Sequence, residues 1–158
     1  MHRITWVSSA IGAACAAIAI VPASTSGQSR REQEEAPAIV VVMRGLRNDR
    51  GVASAGLYGS QSTWTHSGRE VATCNGPVVD RVSRCRLENV PPGRYAIGVM
   101  HDEDNDGHFD TGFLGIPSEG YGFSRDARGT LGPPSFDSAS FEYVGGVLTV
   151  PVTMRYGI

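Results

Sequence analysis

The sequence contains no lysine: all 14 of its basic residues are arginine, and they are scattered along the chain. With a net charge of −2 there is no basic face or stripe of the kind that marks a nucleic-acid binder, and that class is set aside. Cysteine is scarce, at 3 residues in 158. No stretch shows a helical period with caps, no internal repeat is visible, and neither a nucleophile-elbow nor a zinc-protease motif appears. A chain of this length holds one domain with a real core, but not comfortably two.

What is present begins with an address. Residues 1–27, "MHRITWVSSAIGAACAAIAIVPASTSG", open on Arg3 and continue with an uncharged Ala/Ile/Val run from Ile4 to Val21. Small residues follow, with Ser24 and Ser26 at the spacing an export peptidase prefers, so 1–27 reads as a signal peptide. The run could nearly span a bilayer, but its alanine-rich composition is only weakly hydrophobic, and no transmembrane segment is expected in the mature chain. Cys15 raises lipid attachment, yet Gly12 stands where a lipid-attachment box wants leucine. The protein is therefore expected to be exported, periplasmic or secreted. Cleavage leaves Cys74 and Cys85 in an oxidising compartment, where a disulfide is the default. Such a bond stabilises by about 3 kcal/mol in the chain-entropy model. Residues 28–36, "QSRREQEEA", read as a flexible tether, and 37–158 as a single domain.

Within that domain the pattern is β throughout. "AIVVVMRGL" is a continuous apolar run of strand length, and "GVASAGLYGS", "STWTHSG" and "REVATC" are weaker strand candidates. "SRCRLENV" alternates, with Cys85 and Leu87 on one face, and "RYAIGVMH" places Tyr95, Ile97, Val99 and His101 together. "ASFEYV" and "VLTVPVTMRY" suggest a final hairpin around Gly145 and Gly146, in which Pro151 marks an edge strand. About seven short strands between Gly/Pro turns point to an all-β, immunoglobulin-like β-sandwich. The exception is Thr111–Asp137, with six glycines and three prolines. Its aromatics, including Tyr121 and Phe123, favour one long ordered loop lying against the sandwich.

The concentrated charge lies in "HDEDNDGHFD", His101 to Asp110, where five carboxylates fall within ten residues. Asp102, Asp104 and Asp106 occupy positions one, three and five of a calcium-loop spacing, Gly107 position six and Asp110 position nine. Calcium takes six to eight hard oxygens at about 2.3–2.6 Å, and alternate residues on a tightly curved backbone can turn inward together. His108, at seven, would offer its carbonyl, and Phe109 would point into the core. Position twelve is Phe113 rather than glutamate and no helix flanks the loop, so this is not an EF-hand. It is closer to the short D-x-D-x-D-G-x-x-D calcium loops, with Glu119 or a backbone carbonyl supplying the missing ligand. An incomplete set implies a modest affinity, on the order of 10⁻⁴–10⁻³ M. A plain solvated turn is the bland reading; a zinc site on His101 and His108 is the sharper one.

The block from Pro91 to Phe141 resembles the uncharacterised exported bacterial family known as domain of unknown function 2141. A "PPG-Y-A" strand leads through an acidic "HD-N-NG-D" loop to "GIP-EGYGFS" and "GPPSF", and all four are found here. The resemblance implies an exported β-sandwich without assigned activity or catalytic residues; Asp104 and Asp106 stand where many relatives have asparagine. "ENVPPGRYAIGV" is also similar to transthyretin-like sandwich domains found beside carboxypeptidases.

Three functions are weighed. The first is a non-enzymatic binding module whose calcium-stabilised loop presents a Gly/aromatic surface, with Tyr121 and Phe123 as contacts, to a protein or glycan partner in the envelope. The second is a metal-dependent hydrolase using the acidic loop and His101, with Ser118, Ser124 or Ser135 nearby in sequence. The third is a structural envelope subunit docking through an edge strand. The first is favoured.

Overall fold

β1 (Ala38–Arg44) is the apolar run read above, and its alternate residues Ile39, Val41 and Met43 are fully buried. It has a neighbour on each side. It pairs antiparallel with β4 (Val82–Glu88), Val41 opposite Cys85, and parallel with β8 (Val147–Thr153), Val41 opposite Val150. This is a computed structural model, and it describes residues 35–108 and 117–157. The expected signal peptide, 1–27, the expected tether as far as residue 34, and Asp110 lie outside the described residues. Of the tether, exposed Glu35 and Ala36 are described, and both meet the Arg86 guanidinium.

The remaining strands are β2 (Val52–Tyr58), β3 (Ala72–Val79), β5 (Gly93–Asp102), β6 (Gly120–Phe123) and β7 (Phe141–Tyr143). They form one sheet in the order β6-β5-β2-β3-β4-β1-β8, and β7 pairs with the start of β5. The two ends of that path meet. Tyr121 N–H donates to Arg155 O at 2.9 Å, and Arg155 N–H donates to Tyr121 O at 2.8 Å. The fold is all-β, as expected, but its eight strands curl into a nearly closed barrel rather than separating into two sheets.

The reason lies in β3, which serves both walls. Its first part pairs with β2 (Ala55 opposite Cys74), and its end pairs with β4 (Val78 opposite Ser83). Between them Gly76 passes so close to β4 that a Cβ there would lie 2.4 Å from Arg84 O. The expected Cys74–Cys85 disulfide forms at this crossing, with the two Cα atoms 5.7 Å apart.

Alternation places the core. Ile97, Leu57, Leu87, Val152 and Tyr143 fill the barrel, each contributing roughly 1.5–3 kcal/mol on burial. Their odd-phase neighbours Tyr58 and Ala96 belong to a second cluster with Trp64, Phe136 and Ala139.

Three expectations need correction. "STWTHSG" is not a strand but a run of turns hung on buried Trp64, whose indole N–H donates to Pro134 O at 2.7 Å. The final hairpin does not form. β7 pairs with β5 and β8 with β1, and Gly145 and Gly146 (φ 100° and 70°) carry the chain between walls. The described part of Thr111–Asp137 is not one irregular loop, for it contains β6, a 3₁₀ turn at Ser124–Asp126 and the start of a helical turn at Phe136–Ala139. Pro151 does sit, exposed, on a strand whose only ladder partner among the described residues is β1.

Candidate metal centre

The inward phase of β5 runs through Tyr95, Ile97 and Val99 to His101, which is completely buried. Its two ring nitrogens are both engaged. Nε2 lies 2.8 Å from Arg50 O, which can only accept, so Nε2 carries the proton and Nδ1 accepts from the Tyr156 hydroxyl, also at 2.8 Å. Arg47 N–H in turn donates to Tyr156 Oη at 2.9 Å. Burial raises the Tyr156 phenol above its ordinary pKa, the Arg47 amide bond opposes that rise and Glu103 adds to it, so the hydroxyl keeps the proton it donates. His101 thus pins the strand end. It has no nitrogen to offer zinc or a substrate, while His108 is exposed.

One residue further, β5 ends at Asp102, 3 % exposed, and the chain folds back over its carboxylate. Oδ1 accepts Asn105 N–H at 2.6 Å and Oδ2 accepts Gly107 N–H at 2.9 Å. Asn105 and Gly107 take left-handed φ of 62° and 79°, which makes the curl possible. Asp104 Oδ1 accepts Asp106 N–H at 3.3 Å, and Asp106 Oδ1 accepts His108 N–H at 2.7 Å. The result brings Asp102, Asp104 and Asp106 together, one carboxylate oxygen of each within 4.8 Å of the others. Two ligands on one calcium ion lie at most about 5 Å apart, twice the metal–oxygen distance, so the spacing fits. Each amide bond uses one lone pair and leaves the carboxylate others. Without a cation, such charges repel by about 1 kcal/mol per pair in bulk water and several-fold more near a protein surface.

The other two acids of the stretch are placed differently. Asp110 lies outside the described residues. Glu103 points away from the aspartates into the β1–β2 turn, where Arg47 reaches Oε1 at 2.5 Å, Arg50 Oε2 at 3.1 Å and Asn48 Oε2 at 2.6 Å. Burial pushes the Glu103 carboxyl up, but the bonds from Arg47, Asn48 and Arg50 outweigh it and hold it below the usual range. Those three partners carry no signal in the sequence, for nothing in "RNDR" marks its side chains as partners of a carboxylate more than 50 residues on.

Glu119 is brought to the same end of the barrel. It is 4 % exposed, and its Oε1 accepts Glu103 N–H at 2.9 Å. Arg47 also donates to Ser118 O at 2.9 Å and lies over the Tyr156 ring at 4.7 Å. One guanidinium therefore joins the start of the acidic loop, its return and the C-terminal strand end.

Tyr121 and Phe123 are half-buried. The Tyr121 hydroxyl donates to Gly157 O at 3.0 Å, and the Phe123 ring centroid lies 5.6 Å from that of Trp64. Two of the three serines near the loop in sequence have engaged hydroxyls. Ser124 is buried between Ile97 and Ala139, and Ser135 caps the helical turn.

Fold and loop together define a domain of the all-β class whose nearly closed sheet carries a tight aspartate loop at the end of β5. The chain belongs to the family described as an uncharacterized protein conserved in bacteria, domain of unknown function 2141, whose model matches residues 41–150. No curated protein and no solved structure matches it.

Proposed function

We propose that the protein is an exported, non-enzymatic β module whose acidic loop is stabilised by calcium and presents a surface to a protein or glycan partner in the envelope. The observation that carries this reading is the convergence of the Asp102, Asp104 and Asp106 carboxylates within 4.8 Å, with Asp102 buried at the end of β5. Glu119, Asp110 and the His108 carbonyl complete the proposed ligand set. Export is supported by the disulfide, a bond that persists in oxidising compartments. In this reading the walls β4-β1-β8 and β6-β5-β2 correspond to the two layers of an immunoglobulin-like or transthyretin-like sandwich, joined by the β3 crossing. The contact surface is the loop together with the exposed parts of Tyr121 and Phe123. A hydrolase is disfavoured because His101 has both nitrogens committed and Ser124 is buried.

Calorimetry on residues 28–158 tests the metal. Calcium should bind with a dissociation constant on the order of 10⁻⁴–10⁻³ M, and the double variant Asp104→Asn, Asp106→Asn, both at exposed positions, should abolish the heat. Absence of heat from the unmodified chain, with no change in melting temperature on adding chelator, refutes the reading.

A further inference from the structure

β2 starts beside the acidic loop, Val52 opposite Asp102, and ends at Tyr58 on the far side of the barrel. There the turns of residues 59–71 form a groove of about 520 Å³ lined by Ser62, Thr63, His66, Ser67 and Arg69. Its lining holds three hydroxyls, an imidazole and a guanidinium, and neither an acidic nor an apolar side chain. Among the described residues the side chains of His66, Ser67 and Arg69 make no hydrogen bond or ion pair. The nearest acid in sequence, Glu70, is occupied elsewhere, accepting the Tyr58 hydroxyl at 3.0 Å. That bond reinforces burial in raising the Tyr58 pKa, which keeps the phenol a donor to Glu70.

The turn that builds the groove is held in shape rather than loose. Trp64 is buried beneath it, with Tyr58 and Phe136 edge-on at 5.3 and 6.1 Å and its indole nitrogen bonded to Pro134 O. Backbone bonds His66 N–H to Thr63 O (3.0 Å) and Arg69 N–H to His66 O (3.1 Å) fix two successive turns. Thr65 takes φ 57°, a strained value for a β-branched residue, and Gly68 takes φ 76°. Such left-handed turns aim successive amides at a common concavity, a recurrent anion-binding arrangement. The amides of Thr65, Ser67 and Gly68 donate to no acceptor among the described residues.

We propose that this groove binds an oxyanion of the phosphate class. Arg69 supplies the charge and a planar pair of donors, and His66 and Ser67 supply further hydrogen bonds, while the Thr63 hydroxyl donates to Ser60 O at 3.2 Å and Ser62 Oγ lies 3.0 Å from Ser60 Oγ, which fixes the rim. The site is independent of the aspartate loop and stands whether or not that loop holds a cation. A free phosphate and a phosphorylated lipid headgroup present the same chemistry, and the experiment separates them.

Amide chemical shifts of residues 28–158 are followed during titration with sodium phosphate against a sodium chloride control of equal ionic strength. Saturable changes at residues 62–69, in the millimolar range, are expected. Arg69→Gln, an exposed substitution, should weaken them by about tenfold, the loss of one charge-assisted pair. Arg84→Gln, another exposed arginine, should leave them unchanged. Changes that do not saturate, that match the chloride control, or that survive Arg69→Gln overturn the proposal. In a second arm, co-sedimentation with phosphatidylglycerol vesicles but not with phosphatidylcholine vesicles, lost in Arg69→Gln, assigns the anion to a lipid headgroup. Saturable phosphate binding without co-sedimentation assigns it to a soluble one.

Discussion

Ser124 offers the sharpest test of how the barrel is closed. β6 ends where Phe123 pairs with Gly98, and Arg125 and Asp126 then turn the chain away with left-handed φ of 61° and 50°. The next rung, at Ile97, has lost its backbone partner. The Ser124 hydroxyl replaces it, accepting Ile97 N–H at 2.9 Å and donating to Ala139 O at 2.5 Å, and the residue is fully buried. Ser124→Ala removes one small atom and leaves little cavity, but it strands a buried donor and a buried acceptor. Each stranded group costs about 1–3 kcal/mol, so the variant should lose about 2–6 kcal/mol. In a domain of this size that lowers the melting temperature by roughly 8–24 °C. Ser138→Ala, at an exposed hydroxyl 3.1 Å from Ser135 Oγ, should stay within about 0.5 kcal/mol of the parent. Urea denaturation followed by circular dichroism measures both, and hydrogen exchange at the Ile97 amide should quicken only in Ser124→Ala. Two variants of equal stability would refute the claim that a side chain completes the β5 ladder. It would also reopen Ser124 to the nucleophilic role its neighbours in sequence suggest.

Two further outcomes follow from the same contacts. Glu103→Gln keeps the shape but removes the charge that Arg47 and Arg50 share, and should cost about 1–2 kcal/mol at neutral pH. Because the folded carboxyl is held below its usual range, its contribution is complete above the unfolded value and disappears as pH falls through the folded one. Urea midpoints of parent and Glu103→Gln should therefore converge in acid, and a gap that persists or widens there contradicts the assignment. Gly76→Ala would place a Cβ 2.4 Å from Arg84 O, where β3 crosses between walls, and should destabilise by about 1–3 kcal/mol through overpacking. A thermal melt unchanged from the parent would mean that the crossing can relax at no cost.

How much of this was legible depends on how far each feature reaches along the chain. The inward faces of β4, β5 and β8 follow from a period of two, a property each strand carries by itself, and Cys85, Ile97, Val99 and Val152 lie where that period puts them. Partners are another matter. Nothing in "VLTVPVT" says that β8 lies parallel to β1, with Val147 opposite Ala38, instead of folding back on "FEY" across two glycines. Nor does "STWTHSG" reveal that its tryptophan is held by Pro134, 70 residues on. The acidic loop shows both sides of this division. The spacing of Asp102, Asp104 and Asp106 is local, and the three do converge. Glu103 is one residue out of phase with them, so the alternation that sorts a strand's two faces turns it the other way, onto Arg47 and Arg50. The stretch therefore does not confront one pole with five like charges. Of the four that are described, one carboxylate is neutralised by arginines that hold the loop to the barrel and three are left facing a common point. Counting charge along the sequence overstates the repulsion, and following the phase of the backbone corrects it.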